Sequence, residues 1–123
     1  PAGAQALLVE VDLSEQEMTV SRDGVATDVW PVSTAREGTC TPTGTFRPQV
    51  LKRMHYSTLY DGAPMPFSIF FSGNYAIHGT TQTEKLGTPA SAGCVRLAPE
   101  NAETLFDAVL EVGKGETLIV IRE

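Results

Sequence analysis

A chain of 123 residues and 13.2 kDa has room for one hydrophobic core of ordinary size, and with 41% hydrophobic and 20% charged residues it reads as one folded domain over residues 1–123. The net charge of −6 argues against a nucleic-acid partner, which needs clustered Lys and Arg, and no apolar run is long enough to span a bilayer. Two cysteines outside any CxxC pair exclude a disulfide-dense scaffold.

The small-residue stretch Pro1 to Ala4 suits a trimmed or engineered start. Leu7, Val9, Val11 and Leu13 then alternate at the two-residue period of a half-buried strand. Glu17 to Arg22 fits a second strand, and Asp23-Gly24 is a two-residue hairpin signal that returns the chain antiparallel over Val25 to Val32. Ser33 to Pro42 reads as a loop, since Pro42 pushes Thr41 out of the helical region, and a new strand starts near Gly44 with Phe46 and Val50 facing a core. Lys52, Arg53, His55, Tyr56 and Tyr60 show no period and read as an irregular surface segment.

Gly62 to Pro66 reads as a loop by its prolines, ahead of a buried strand over Phe67 to Phe71, a Ser72-Gly73-Asn74 turn and a partner strand over Tyr75 to His78. On that strand Ala76 and His78 share one face, Tyr75 and Ile77 the other. Thr80 to Ala92 is loop-like. One helix follows, with Pro99 in its first turn and Ala102, Leu105, Phe106 and Val109 at helical spacing. Gly113 and Gly115 break it before a final strand over Thr117 to Ile121. The sum is a mainly β domain with one packed helix and no internal repeat.

Cys40, His55, His78 and Cys94 offer two sulfurs and two nitrogens, but none of their spacings is that of a structural zinc site, so no metal is expected. Cys94 is a candidate nucleophile on other grounds. In Ser91-Ala92-Gly93-Cys94-Val95-Arg96-Leu97 the small Ala92 and Gly93 leave backbone accessible to a substrate carbonyl, and Arg96 adds a fixed positive charge. A free thiol is only slightly ionised at neutral pH, and Arg96 and His78 are the cation and the base that would activate it. With no Asp or Asn close in sequence to orient the His78 ring, the Gly79 carbonyl is a candidate. Each residue also has a plain reading: Cys94 as a buried core thiol, His78 as a hydrogen-bonded strand-end histidine, Arg96 as a solvated charge.

Ile77-His78-Gly79-Thr80 followed by Ser91-Ala92-Gly93-Cys94-Val95-Arg96-Leu97 resembles the signature of the L,D-transpeptidase (YkuD-domain) family. Val32-Ser33-Thr34, Thr41 to Phe46, Met65-Pro66-Phe67 and Asn101-Ala102 resemble its other landmarks, in order across nearly the whole chain. The resemblance implies a β-sandwich-like domain in which Cys94 attacks the stem peptide of peptidoglycan between its third residue and D-alanine. D-alanine leaves, and the acyl group passes to an amine of another stem or of a wall-anchored lipoprotein, or to water. It further implies His78 as base, Gly79 as the orienting carbonyl, Arg96 and Ser91 as residues shaping the substrate site, and Gly93 and Cys94 as oxyanion-hole amides. A periplasmic or other extracytoplasmic location follows from the substrate, and a thiol-acyl mechanism needs no cofactor.

One departure stands out: many members carry His before the Gly-Cys pair, where this chain has Ala92, so a second active-site histidine is absent or moved to His55, otherwise a surface residue. Thr41 to Phe46 equally serves as a turn, and an oxidised Cys40–Cys94 pair is a conceivable off state. The alternatives are a hydrolase using the same thiol and a non-catalytic wall-binding module.

Overall fold

The computed structural model describes residues 6–57 and 62–123. Among these residues nine strands make two sheets. β1 (Leu7–Asp12), β2 (Glu17–Arg22), β3 (Val25–Pro31), β4 (Gly44–Phe46) and β9 (Thr117–Arg122) form the first, in the order β3-β2-β1-β9-β4. β5 (Val50–Tyr56), β6 (Pro64–Ser72), β7 (Tyr75–Gly79) and β8 (Val95–Leu97) form the second, in the order β5-β6-β7-β8, and α1 spans Pro99–Val112.

The first sheet grows from the alternation at its N-terminus. Leu7, Val9 and Val11 are fully buried, and β1 lies between an antiparallel β2 and a parallel β9 whose Ile119 and Ile121 extend the same buried face. Asp23 and Gly24 take φ of 50° and 84°, the paired positive values of the tight hairpin that joins β2 to β3. The inward residues of both sheets meet α1 in one cluster that includes Val9, Ile121, Phe71, Ile77, Leu97, Leu105 and Phe106. Pro99 starts the helix, and the four positions picked out by helical spacing, Ala102, Leu105, Phe106 and Val109, are all buried.

Two elements depart from the sequence reading. The segment read as irregular is β5, an edge strand. Its pattern is hidden because Leu51 packs on the core while Arg53, two residues on, lays its guanidinium 5.2 Å from the Phe106 ring centroid, a polar residue doing an apolar packing task. Val50 faces outward at 46% exposure, whereas Phe46 does reach the core edge, its ring 5.1 Å from that of Phe71. The proline-rich Pro64-Met65-Pro66, read as loop, already belongs to β6 and pairs with Tyr56, His55 and Met54 of the edge strand. Tyr60 lies outside the described residues.

Candidate active site

The second sheet brings the motif residues together. β7 and β8 run parallel with Ile77 opposite Val95, His78 opposite Arg96 and Gly79 opposite Leu97. Ile77, Val95 and Leu97 enter the core, so the alternating positions His78 and Arg96 lie on the other side, and Cys94, two before Arg96, joins them there. Cys94, His78 and Arg96 line a single cavity of about 750 Å³, together with Ser91, Ala92, Asn74, Tyr75 and others.

β8 was not legible as a strand, being three residues long, and the connection that precedes it is long. That connection is held by the segment Val32 to Arg36, which lies beside it like an extra strand. The Gly87 N–H donates to the Val32 carbonyl, Ser33 Oγ to Thr88, the Ala90 and Ser91 N–H groups to Thr34, and the Arg36 N–H to Ser91, all at 2.7–3.0 Å. Ser33 also exchanges both backbone bonds with Arg96. Beneath lies Gln16, buried with a φ of 52°: its Nε2 donates to Thr34 Oγ1 at 2.5 Å, and its Oε1 accepts from the Thr34 N–H at 3.0 Å. Gln16 has no signal in the sequence, since a lone glutamine between strands carries no pattern.

Ser91 is fully buried and works on the turn itself, its Oγ donating to the Cys94 carbonyl at 2.6 Å and accepting from the Gly93 N–H at 3.1 Å. The Gly93 amide, one of the two that the family resemblance assigns to an oxyanion hole, is thus engaged by Ser91. Gly93 has a φ of +139°, and a Cβ there would sit 2.5 Å from Tyr75 Cε1 and 2.9 Å from the Cys40 carbonyl oxygen, so only glycine fits.

His78 is buried, and its Nδ1 lies 2.7 Å from the Gly79 carbonyl oxygen. A carbonyl only accepts, so Nδ1 carries the proton, and Nε2 of the neutral ring is left as the basic nitrogen. Burial, together with the charges of Arg96 and His55, pulls the ring from 6.5 down to about 4, against the raising effect of the Gly79 carbonyl. At neutral pH His78 is therefore an uncharged base. Gly79 must stay small for this geometry: a Cβ there would come within 3.2 Å of the Pro99 Cα and of the Pro66 side chain.

The Cys94 sulfur is half-buried between the Asn74 carbonyl oxygen, 3.8 Å away, and the backbone of Ala76. Burial pushes its thiol up, while the Ala76 backbone hydrogen bond and then the Arg96 charge pull it down. Arg96 thus acts in the expected direction and desolvation outweighs it, so the resting pair is a neutral thiol and a neutral imidazole. Arg96 itself is half-buried, donates to Gln82 Oε1 at 3.3 Å and is depressed by burial, and by the charge of Arg36 against the raising effect of Cys94.

His55 lines the same cavity, its ring 5.1 Å from that of Phe70 and edge-on to it, rather than standing free on the surface. Cys40 is exposed and lines a separate, smaller hollow; both cysteines are free thiols. Among the described residues no group of three or more His, Cys, Asp or Glu side chains is placed to hold a metal ion, and no helix is long and apolar enough to cross a membrane.

The fold has close counterparts. An L,D-transpeptidase from Mycobacterium tuberculosis H37Rv superposes with a TM-score of 0.88 at 22% identity, covering 97% of this chain and 58% of that one. One from Xylanimonas cellulosilytica gives 0.83 at 27% identity, covering 99% and 63%. L,D-transpeptidase 3 from M. tuberculosis, with a faropenem-derived adduct, gives 0.83 at 23% identity, covering 97% and 61%. The chain therefore spans about three-fifths of the length of these solved chains. No curated protein matched it in sequence. The profile of the L,D-transpeptidase catalytic domain, YkuD, matches residues 7–121, from the first residue of β1 to the penultimate residue of β9, and the chain belongs to that family.

Proposed function

We propose that the chain is one catalytic domain that cuts and transfers peptidoglycan stem peptides through a thioester on Cys94. The observation that carries this reading is a buried, neutral His78 whose tautomer is set by Gly79, on the same wall of one cavity as the Cys94 thiol. Cys94 Sγ attacks the carbonyl carbon between the third stem residue and D-alanine, and His78 Nε2 takes the thiol proton as the bond forms. A neutral thiol and a neutral base suit proton transfer during attack rather than a standing ion pair. The oxyanion is received by the Cys94 amide, while Ser91 keeps the Gly93 amide to hold the turn.

Collapse breaks the C–N bond, and the D-alanine amine leaves with the proton from His78. A second amine, on another stem or on a wall lipoprotein, then attacks the thioester and gives its proton to His78. The thiolate departs and is reprotonated, restoring the resting site. Water in place of the amine gives the carboxypeptidase or hydrolase reaction by the same steps. The wall substrate implies work outside the cytoplasm, in the periplasm or its equivalent. An L,D-transpeptidase of the same fold has been solved in complex with a faropenem-derived adduct.

The test is product analysis with defined muropeptides. A tetrapeptide stem gives D-alanine plus a 3-3 cross-linked dimer, or the tripeptide if water resolves the thioester, and Cys94→Ala gives neither. D-alanine release at the full rate from the Cys94→Ala protein would overturn the assignment.

A further inference from the structure

The Cys94 cavity is charged against the grain of the chain. The sequence carries 15 Asp and Glu, yet none appears among the described residues lining the cavity, which instead presents Arg36, Arg96, His55 and His78. Three of the other arginines are paired with carboxylates: Arg22 with Glu111, Arg53 with Asp107, and Arg122 with Glu10 and Asp12. A fourth, Arg47, donates to the carbonyls of Gly115 and Thr117. Among the described residues Arg36 and Arg96 have no carboxylate partner, and the contact seen for Arg96 is the neutral Gln82 amide oxygen.

The fold brings these two cations to one edge deliberately. Ser33 pairs with Arg96, and Ala35 pairs with Ser91, so three residues of one extended segment carry Arg36 from the strand beside Arg96 to the turn before Cys94. Arg36 is close enough to Arg96 for its charge to be felt there, and it is exposed at the cavity while its own N–H is fixed to the Ser91 carbonyl at 2.9 Å. Two like charges lining one cavity without a carboxylate counterion repel, and an anion bound between them relieves that repulsion.

We propose that Arg36 and Arg96 form a carboxylate-binding edge of the cavity, and that Arg36, which lies outside the motif, selects acyl donors by a free carboxylate next to the bond that is cut. This rests on the stem-peptide reading. The carboxylate has two sources in such a donor: the α-carboxylate of the leaving residue, or a second carboxylate on the side chain of the third residue. Arg fits either, since its planar fork binds carboxylate oxygens in pairs.

Binding is measured by calorimetry on the Cys94→Ser protein, which cannot form the thioester. Four tetrapeptides are compared, with the leaving residue as acid or amide and the third residue as diaminopimelate or lysine. We expect the better carboxylate form to bind about tenfold more tightly than its neutral partner, a preference that Arg36→Gln reduces to near unity and Arg36→Lys keeps in part. Whichever pair shows the preference names the source. Equal affinity for all four peptides, or a preference unchanged by Arg36→Gln in a protein with unaltered circular dichroism, overturns the proposal.

N-acetyl-D-alanine and its amide separate this outcome from failure of the proposed function. If no stem acylates Cys94 in the unaltered protein but the small acid still binds through Arg36, the stem-peptide reading falls and the carboxylate edge stands. If stems acylate Cys94 and acid and amide donors react alike, the edge falls and the function stands.

Discussion

Acidification destabilises this fold through His78, by an amount that the site's geometry sets. The buried ring resists protonation until about pH 4, whereas the same ring in an unfolded chain takes a proton near 6.5. Between those values the unfolded state binds a proton that the folded state refuses, so stability is complete above 6.5, falls as the pH drops, and levels off below 4. A gap of about 2.5 pH units, at about 1.4 kcal/mol each, amounts to about 3 kcal/mol lost between pH 7.5 and pH 4. Other groups titrate over the same range, so the measurement is a difference. Urea unfolding of the unaltered protein and of His78→Gln, at both pH values, isolates the contribution of this ring. The unaltered protein is expected to lose about 3 kcal/mol more than the variant on acidification. Parallel losses in the two proteins would refute a neutral, buried His78, and with it the base assigned to the reaction.

Three further outcomes follow from the site. Gly93→Ala places a Cβ 2.5 Å from Tyr75 Cε1, so it is expected to cost about 2 kcal/mol or more in urea unfolding, while Gly115→Ala, with nothing within 4 Å of the new atom, stays within about 1 kcal/mol of the parent. Gln16→Leu leaves the buried Thr34 N–H without its side-chain partner and is expected to cost about 1–3 kcal/mol by the same assay, and to slow Cys94 acylation because Thr34 holds the Ser91 amide. Arg96→Met removes a charge that pulls the Cys94 thiol down, so the midpoint of the pH profile for iodoacetamide alkylation is expected to move upward; a midpoint that stays or falls contradicts the placement of Arg96 beside the sulfur.

How much of this was legible in the sequence depends on where each pattern came from. Strands β1 and β2 and helix α1 announce themselves because one face of each is apolar and the other largely polar, the direct imprint of a shared core, and β9 because it is an unbroken, mostly β-branched apolar run. β5 does not, because Arg53 replaces an apolar residue by stacking on Phe106. The start of β6 does not, because prolines at a sheet margin look the same as prolines in a turn. Cys94, His78, Gly79 and Arg96 were readable as a set only through family resemblance, since residue types alone left each with an ordinary structural reading. What no local pattern carries is the long-range bonding: the grip of Gln16 on Thr34, of Thr34 on Ser91 and of Ser91 on the Cys94 turn joins residues up to 57 positions apart through hydrogen bonds. Arg36 escaped notice for the same reason, its neighbour Arg96 being far along the chain.

The central claim is that Cys94 accepts the acyl group of a stem peptide. Intact-mass spectrometry of the protein quenched in acid during turnover of a tetrapeptide stem tests it most directly. The prediction is a mass increase equal to the stem less D-alanine, mapped by peptide digestion to Cys94 and lost in both Cys94→Ala and His78→Gln. D-alanine release with no adduct on Cys94 under any quench time, or an adduct that maps to Cys40, would contradict it.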